Sequence, residues 1–202
     1  MTPDDARALI QAKREDRSRE FKESFPWRRE AAGETMARVS KTILAMSNLR
    51  DGGRIVVGVA EPVQGSTDWR PVGVDPDHLG TFSFDTVADF VRKYAEPYAR
   101  FDLDIVELGS AKYVVIAVEG FDEVPVVCKV SYGHILAEGA VYVRPRSGRP
   151  RSEPVSNYAD MRELLDLAVE RGIRRFLRAQ TVARAAQQVD EQLFSQQIKE
   201  FL

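Results

Sequence analysis

Glu20, Phe21 and Lys22 set a carboxylate and an ammonium two residues apart inside a charged stretch, Glu15-Asp16-Arg17-Ser18-Arg19-Glu20-Phe21-Lys22-Glu23. If 19–23 is a strand, alternation sends Phe21 to one face and Glu20 with Lys22 to the other. A carboxylate can ligate a hard cation, and a lysine offers a point charge to a phosphate. An ordinary edge strand carries the same pattern, its two charges forming a solvated pair worth ~0–1 kcal/mol. These residues by themselves admit both readings.

Any metal would have to be held mainly by carboxylates. Cys128 is the only cysteine, so an internal disulfide and a cysteine-based zinc site are both excluded. Its setting, Val126-Val127-Cys128-Lys129-Val130, reads as a buried strand. His78 and His134 lie far apart in the sequence, outside any paired ligand spacing, so magnesium or manganese fits the ligand supply better than zinc. A second stretch with chemistry in it is Arg144-Pro145-Arg146-Ser147-Gly148-Arg149-Pro150-Arg151. Its four arginines, Arg144, Arg146, Arg149 and Arg151, sit in a Pro/Gly-rich loop that can grip phosphates through bidentate contacts, or can simply be solvated.

The elements that must position these residues follow from periodicity. Thr2 or Asp4 can cap a first helix running through Ala12, with Ala6, Leu9 and Ile10 on its apolar side. After the 19–23 strand, Pro26-Trp27-Arg28-Arg29 reads as a loop. Thr35, Met36, Val39, Ile43, Leu44 and Met46 then keep helical spacing up to Asn48. Asp51-Gly52-Gly53 turns the chain into 55–59, a nearly continuous β-branched run expected of a central strand covered on both faces. A loop over 62–69 leads to a short strand at 72–74, and Ser83 or Asp85 opens a helix carrying Val87, Phe90, Val91 and Tyr94 that stops near Pro97. Strands over 101–106 and 113–118 flank a turn at Ser110-Ala111-Lys112. A hairpin joins 135–136 to 140–144 with Glu138-Gly139 at its tip. From Ser156 the pattern is helical, with Gly172 as a break and a last helix over 174–202.

At 202 residues the chain has room for one core-bearing domain and an appendage, read as 1–170 and a C-terminal helical extension, 171–202. With 44% hydrophobic and 30% charged residues and no apolar run near ~20 residues, a membrane span is not expected. The N-terminal residues have neither a basic start nor an apolar core, so no secretory signal is read and a cytoplasmic location is the expectation. A net charge of −2 and a pI of about 5.8 argue against a coat protein that binds nucleic acid through overall charge.

In this order, four landmarks resemble the Schlafen-type AlbA domain family over 15–169. They are Glu20-Phe21-Lys22-Glu23-Ser24, the helix Lys41-Thr42-Ile43-Leu44-Ala45-Met46-Ser47-Asn48, the turn and strand Asp51-Gly52-Gly53-Arg54-Ile55-Val56-Val57-Gly58-Val59, and Ala140-Val141-Tyr142-Val143-Arg144. The resemblance implies an α+β fold, a mainly antiparallel mixed sheet flanked by helices. In the family's Schlafen branch it implies a metal-dependent endoribonuclease acting on structured RNA such as transfer RNA. By that likeness Glu15 and Glu20 take the places of two metal-binding acids and Lys22 that of a nearby lysine. Glu61, in Gly58-Val59-Ala60-Glu61, stands where the third acid is expected, Ala60 making that match inexact. Such a site would hold Mg²⁺ or Mn²⁺ on Glu15, Glu20 and Glu61, with Lys22 and the four arginines meeting the phosphates.

The partner implied is nucleic acid, RNA favoured over DNA, with no membrane. The alternative is a catalytically silent DNA- or RNA-binding or regulatory module. ATP binding is disfavoured, because no Gly-x4-Gly-Lys-Ser/Thr loop is present. Val182, Ala186, Val189 and Leu193 in the last helix suit a homodimer contact.

Overall fold

The computed structural model describes residues 3–12, 14–146 and 150–201, the side chains of residue 3 and of 182–201 excepted. The elements run α1 (Pro3–Ile10), β1 (Arg19–Lys22), α2 (Arg29–Ser47), β2 (Gly53–Val57), β3 (Val59–Ala60), β4 (Arg70–Pro71), α3 (Pro76–Leu79) and α4 (Phe84–Arg92). They continue with β5 (Ala95–Glu96), β6 (Phe101–Leu108), β7 (Ala111–Val118), β8 (Val127–Cys128), β9 (Tyr142–Val143), β10 (Glu153–Pro154) and α5 (Tyr158–Phe201). The fold is α+β. Its main sheet has the order β1-β2-β7-β6, with β1 parallel to β2 and the other pairings antiparallel, so the mainly antiparallel mixed sheet is as expected.

Alternation within β2 divides the core between the two faces of the sheet. Ile55 and Val57 face the larger cluster, built on Val39, Ile43 and Leu44 of α2 and Val87 and Val91 of α4. Val56 faces the smaller one, with Phe21 of β1, Val115 of β7 and Ile10 of α1. Phe21 therefore points towards α1, and its register neighbours Glu20 and Lys22, opposite Ile55 and Val57, point to the α2 side at the sheet edge. Ser83 caps α4 in a reciprocal capping box with Thr86. Cys128 is buried in β8, as its apolar setting suggested.

Gly52 and Asn48 fix the route from α2 into β2. Gly52 adopts φ +67, and a Cβ there would run into the Val118 carbonyl, so only glycine fits this turn. Asn48 lies at the C-cap of α2, and its amide donates to the carbonyls of Val126 at 2.9 Å and Tyr142 at 2.8 Å. Its Oδ1 accepts from the Val126 N–H at 2.8 Å. One buried side chain thus satisfies three backbone groups and joins β9 to the end of α2, where an unpaired group costs ~1–3 kcal/mol.

Four local expectations differ from the structure. Residues 72–74 are not a strand: the N–H groups of Val72 and Gly73 both donate to the Gly58 carbonyl, which curls the chain around it, and the neighbouring strand is β4. Tyr142 and Val143 pair with β10 and not with 135–136, whose chain turns back through a bridge between Tyr132 and Leu136. The expected break at Gly172 is absent, and α5 runs on through it and through the 170/171 boundary. Contacts on both sides of Gly172 hold the helix: Arg171 lies over Phe121 and Glu170 pairs with Arg50 before it, and Arg175 pairs with Glu123 after it. The first helix ends at Ile10, and Thr2 lies outside the described residues.

Candidate functional site, a carboxylate pair closed by a buried arginine

The 19–22 strand brings Glu20 and Lys22 to one face, Lys22 Nζ lying 2.5 Å from Glu20 Oε1. The pair is not the solvated surface pair that an ordinary edge strand would give. The Glu20 side chain is only 12% exposed, because the wholly buried Arg144 covers it and its Nη1 donates to Glu20 Oε2 at 2.6 Å. Arg144 Nη2 donates to the backbone carbonyls of Asp16, Arg19 and Pro150, at 2.8 Å to the first. Burying an ion costs several kcal/mol, and here a facing carboxylate and three carbonyls offset that cost.

Glu15 joins the same neighbourhood from the segment before β1. Its Oε1 accepts the Phe21 N–H at 2.9 Å. Burial, followed by the nearby Glu20 charge, pushes its carboxyl above the ordinary glutamate range, against the pull of that N–H and of Lys22 and Arg144. Two carboxylates and two cations therefore share one small volume, and their charges balance.

Glu61 is not brought into that volume. Its backbone N–H donates to Glu23 Oε1 at 3.1 Å beyond the end of β1, and its side chain is exposed. Among the described residues no group of three or more histidine, cysteine, aspartate or glutamate side chains is placed to hold a metal ion. Both oxygens of Glu20 already serve Lys22 and Arg144. With Glu61 apart and both Glu20 oxygens engaged, Glu15, Glu20 and Glu61 do not form the three-carboxylate set expected for a hard cation.

The arginine loop is likewise committed to the fold. Arg144 is sealed inside, Arg146 pairs with Glu163 of α5 at 2.9 Å, and Arg151 pairs with Glu153 at 2.8 Å. Arg149 lies outside the described residues. Arg17, Asp16 and Glu163 have structural roles that sequence reasoning missed. Arg17 donates through both Nη atoms to the Glu163 carboxylate, at 2.9 and 2.8 Å, and through Nε to the Arg144 carbonyl. Burial raises the Glu163 carboxyl, but its bonds to Arg17 and Arg146 outweigh this and hold it at about 2. Asp16 had a local signal, Asp-x-Ser: its Oδ1 accepts from both the N–H and the hydroxyl of Ser18, a turn that aims the Asp16 carbonyl at Arg144. Arg17 and Glu163 had none, being 146 residues apart.

Two consequences are measurable. Replacing Arg144 by Met leaves Glu20 with Lys22 alone and should cost ~3–5 kcal/mol in urea denaturation, whereas Arg146→Met at the exposed pair should leave the denaturation midpoint nearly unchanged. Equal losses would remove Arg144 from its central place. Glu15 is a carboxyl whose folded value is raised, so its contribution is fully present below pH ~4.5 and lost as pH rises through the folded value. Glu15→Gln should therefore raise the melting temperature at pH 7 relative to the unsubstituted protein, and the gain should vanish at pH 4. A lower melting temperature at pH 7 would contradict this sign.

Among solved structures, the chain is similar to the DIP2311 protein from Corynebacterium diphtheriae, with 17% identity and a TM-score of 0.47. That match covers 74% of this chain and 25% of that one, so this chain spans about a quarter of the DIP2311 protein's length. It is also similar to the N-terminal domain of a protein described as related to the ATP-dependent DNA helicase RecG, from Nitrosomonas europaea. There the identity is 21% and the TM-score 0.48, covering 78% of this chain and 98% of that domain. No curated protein matches. The family model described as Schlafen, AlbA_2 matches residues 15–151, a span that holds Glu15, Glu20, Lys22, the Gly52 turn and Arg144, and the chain belongs to that family.

Proposed function

We propose that this is a nucleic-acid-binding domain, RNA favoured over DNA, whose acidic cluster serves recognition and not metal-dependent cleavage. The observation that carries this reading is the capture of both Glu20 oxygens by Lys22 and Arg144. A bare carboxylate pair would repel a phosphodiester. Here two side-chain cations balance Glu15 and Glu20, so the surface can meet a phosphate backbone without a metal. Membership of the Schlafen AlbA_2 family supports a nucleic acid as the partner.

A second reading is a Mg²⁺- or Mn²⁺-dependent endoribonuclease acting on structured RNA such as transfer RNA. The convergence of Glu15 and Glu20 beside Lys22 favours it. Purified protein and its Glu20→Ala variant, each incubated with transfer RNA and Mn²⁺, separate the two. Binding without cleavage by the unsubstituted protein is the expected result; cleavage that Glu20→Ala abolishes would establish the nuclease. If neither protein retains RNA in a filter-binding assay, the nucleic-acid reading itself fails.

The proposed assembly is a homodimer through α5. Met161, Leu165, Val169, Ile173 and Phe176 recur at three- and four-residue spacing and are all exposed. Val182, Ala186, Val189 and Leu193, the positions singled out from the sequence, have side chains outside the described residues. Light scattering should give twice the chain mass for the protein and the single chain mass for Leu165→Glu/Ile173→Glu. A monomer in both samples would rule the dimer out. No helix among the described residues is long and apolar enough to cross a membrane.

A further inference from the structure

Two adjoining cavities, lined by none of Glu15, Glu20, Lys22 or Arg144, lie where α5 passes the end of β7. The larger, about 630 Å³, is lined by seven arginines against four acids. The smaller, about 310 Å³, shares with it Arg100, Glu119, Phe121, Asp122 and Glu123. Several of the arginines are already spent: Arg50 on Glu170, Arg100 on Asp122 and Glu119, Arg175 on Glu123. Arg54, Arg171 and Arg178 form no salt bridge among the described residues.

Arg171 is the most constrained of the three. Its guanidinium carbon lies over the Phe121 ring, 4.3 Å from the centroid, and Nη2 donates to the Arg50 carbonyl at 2.6 Å. Gly120 leaves the space it needs, since a Cβ there would collide with Nη2. Nη1 is buried and has no acceptor. Burial and the neighbouring charges of Arg50, Arg100 and Arg174 hold the Arg171 side chain below the usual arginine range, against the pull of Asp122, as expected for a cation short of counter-charge.

The smaller cavity differs in chemistry. Pro97, Tyr98, Val124 and Val126 give it apolar walls; Tyr98 is 39% exposed, with the Arg92 guanidinium over its ring at 5.5 Å from the centroid. Ser47 also lines it, and the Ser47 hydroxyl is buried without a partner. Three buried side-chain polar atoms lack a hydrogen bond among the described residues, and two of them, Ser47 Oγ and Arg171 Nη1, belong to these cavities. Such orphans are rare in folded proteins and call for a missing partner.

We infer that the paired cavities bind a nucleoside monophosphate unit. The phosphate lies among Arg171, Arg54 and Arg178, and the heteroaromatic ring lies against Tyr98 within reach of the Ser47 hydroxyl. A planar ring stacks on an exposed aromatic, a phosphate takes several guanidinium donors, and the shared wall at Arg100 and Phe121 joins the two halves. The unit can arrive as a free mononucleotide or as the 5′-phosphorylated end of a strand. This inference does not depend on the acidic cluster or on what that cluster does.

Calorimetric titration of the full chain tests it. AMP, GMP, CMP and UMP are compared with adenosine and with inorganic phosphate, and a short oligoribonucleotide is used with and without a 5′-phosphate. At least one mononucleotide, or the 5′-phosphorylated strand, should bind ten or more times tighter than adenosine and inorganic phosphate. Preference for the free mononucleotide marks the first source, and preference for the phosphorylated strand over its 5′-hydroxyl form marks the second. Ser47→Ala removes a hydroxyl with no protein partner, so it should not lower the melting temperature while weakening binding about threefold to tenfold. Arg171→Met should weaken it about tenfold to a hundredfold. Binding indifferent to the phosphate or to Ser47→Ala overturns the inference. An oligoribonucleotide that still binds under those conditions would leave the nucleic-acid reading standing without this pocket.

Discussion

A guanidinium can leave water only where other groups replace the solvent around it, and Arg144 has been taken out of water altogether. Its demand for acceptors organises the region around β1. Glu20 supplies a carboxylate from the strand, Asp16 and Arg19 supply carbonyls from the segment leading into it, and Pro150 supplies one from the far side of the arginine loop. Segments more than 120 residues apart are thus drawn onto one cation. Arg17 then reaches from the same segment to α5 through Glu163, while its Nε holds the Arg144 carbonyl. The acidic cluster and the anchoring of the long helix are two ends of one hydrogen-bonded chain.

The sheet makes this possible by what it leaves uncovered. β1 is an edge strand with one apolar residue, Phe21, committed to the α1 face, so its other face is free to carry charge beside the main core. β2 and β7 inside the sheet have no such freedom and are almost wholly apolar. Arg144 emerges directly from β9, which Asn48 fastens to the end of α2, so the position of the cation is set by the core. A site built this way is positioned with little loop freedom.

Much of the fold could be read from local pattern. Alternation placed Phe21 inward and Glu20 with Lys22 together, and the β-branched run from Ile55 marked the central strand. Helical spacing marked α4 and the buried Leu164 and Leu167 of α5. The order of the landmarks pointed to the family that the chain belongs to. What escaped depends on distant partners. The arginine loop is polar and rich in proline and glycine, which describes a solvated segment, but Glu20 lies 124 residues away and turns Arg144 into a core residue. Gly172 reads as a break because glycine weakens an isolated helix, and the contacts of Arg171 and Glu170 override that preference. Residues 72–74 have strand-like composition, but two donors meeting on one Gly58 carbonyl impose a curl.

The continuity of α5 links its two anchors through helical phase. Glu163, gripped by Arg17 and Arg146, and Arg171, laid over Phe121, are eight residues apart on an uninterrupted helix. At 3.6 residues per turn that interval is about 2.2 turns, which leaves the two side chains about 80° apart, within the arc that also carries the buried Leu164 and Leu167. Each added or deleted residue between them would rotate one anchor by about 100° relative to the other. The spacing therefore acts as a gear tooth: the helix can engage the carboxylate clamp and the aromatic seat together in a single rotational setting, and a change in length between them would disengage one.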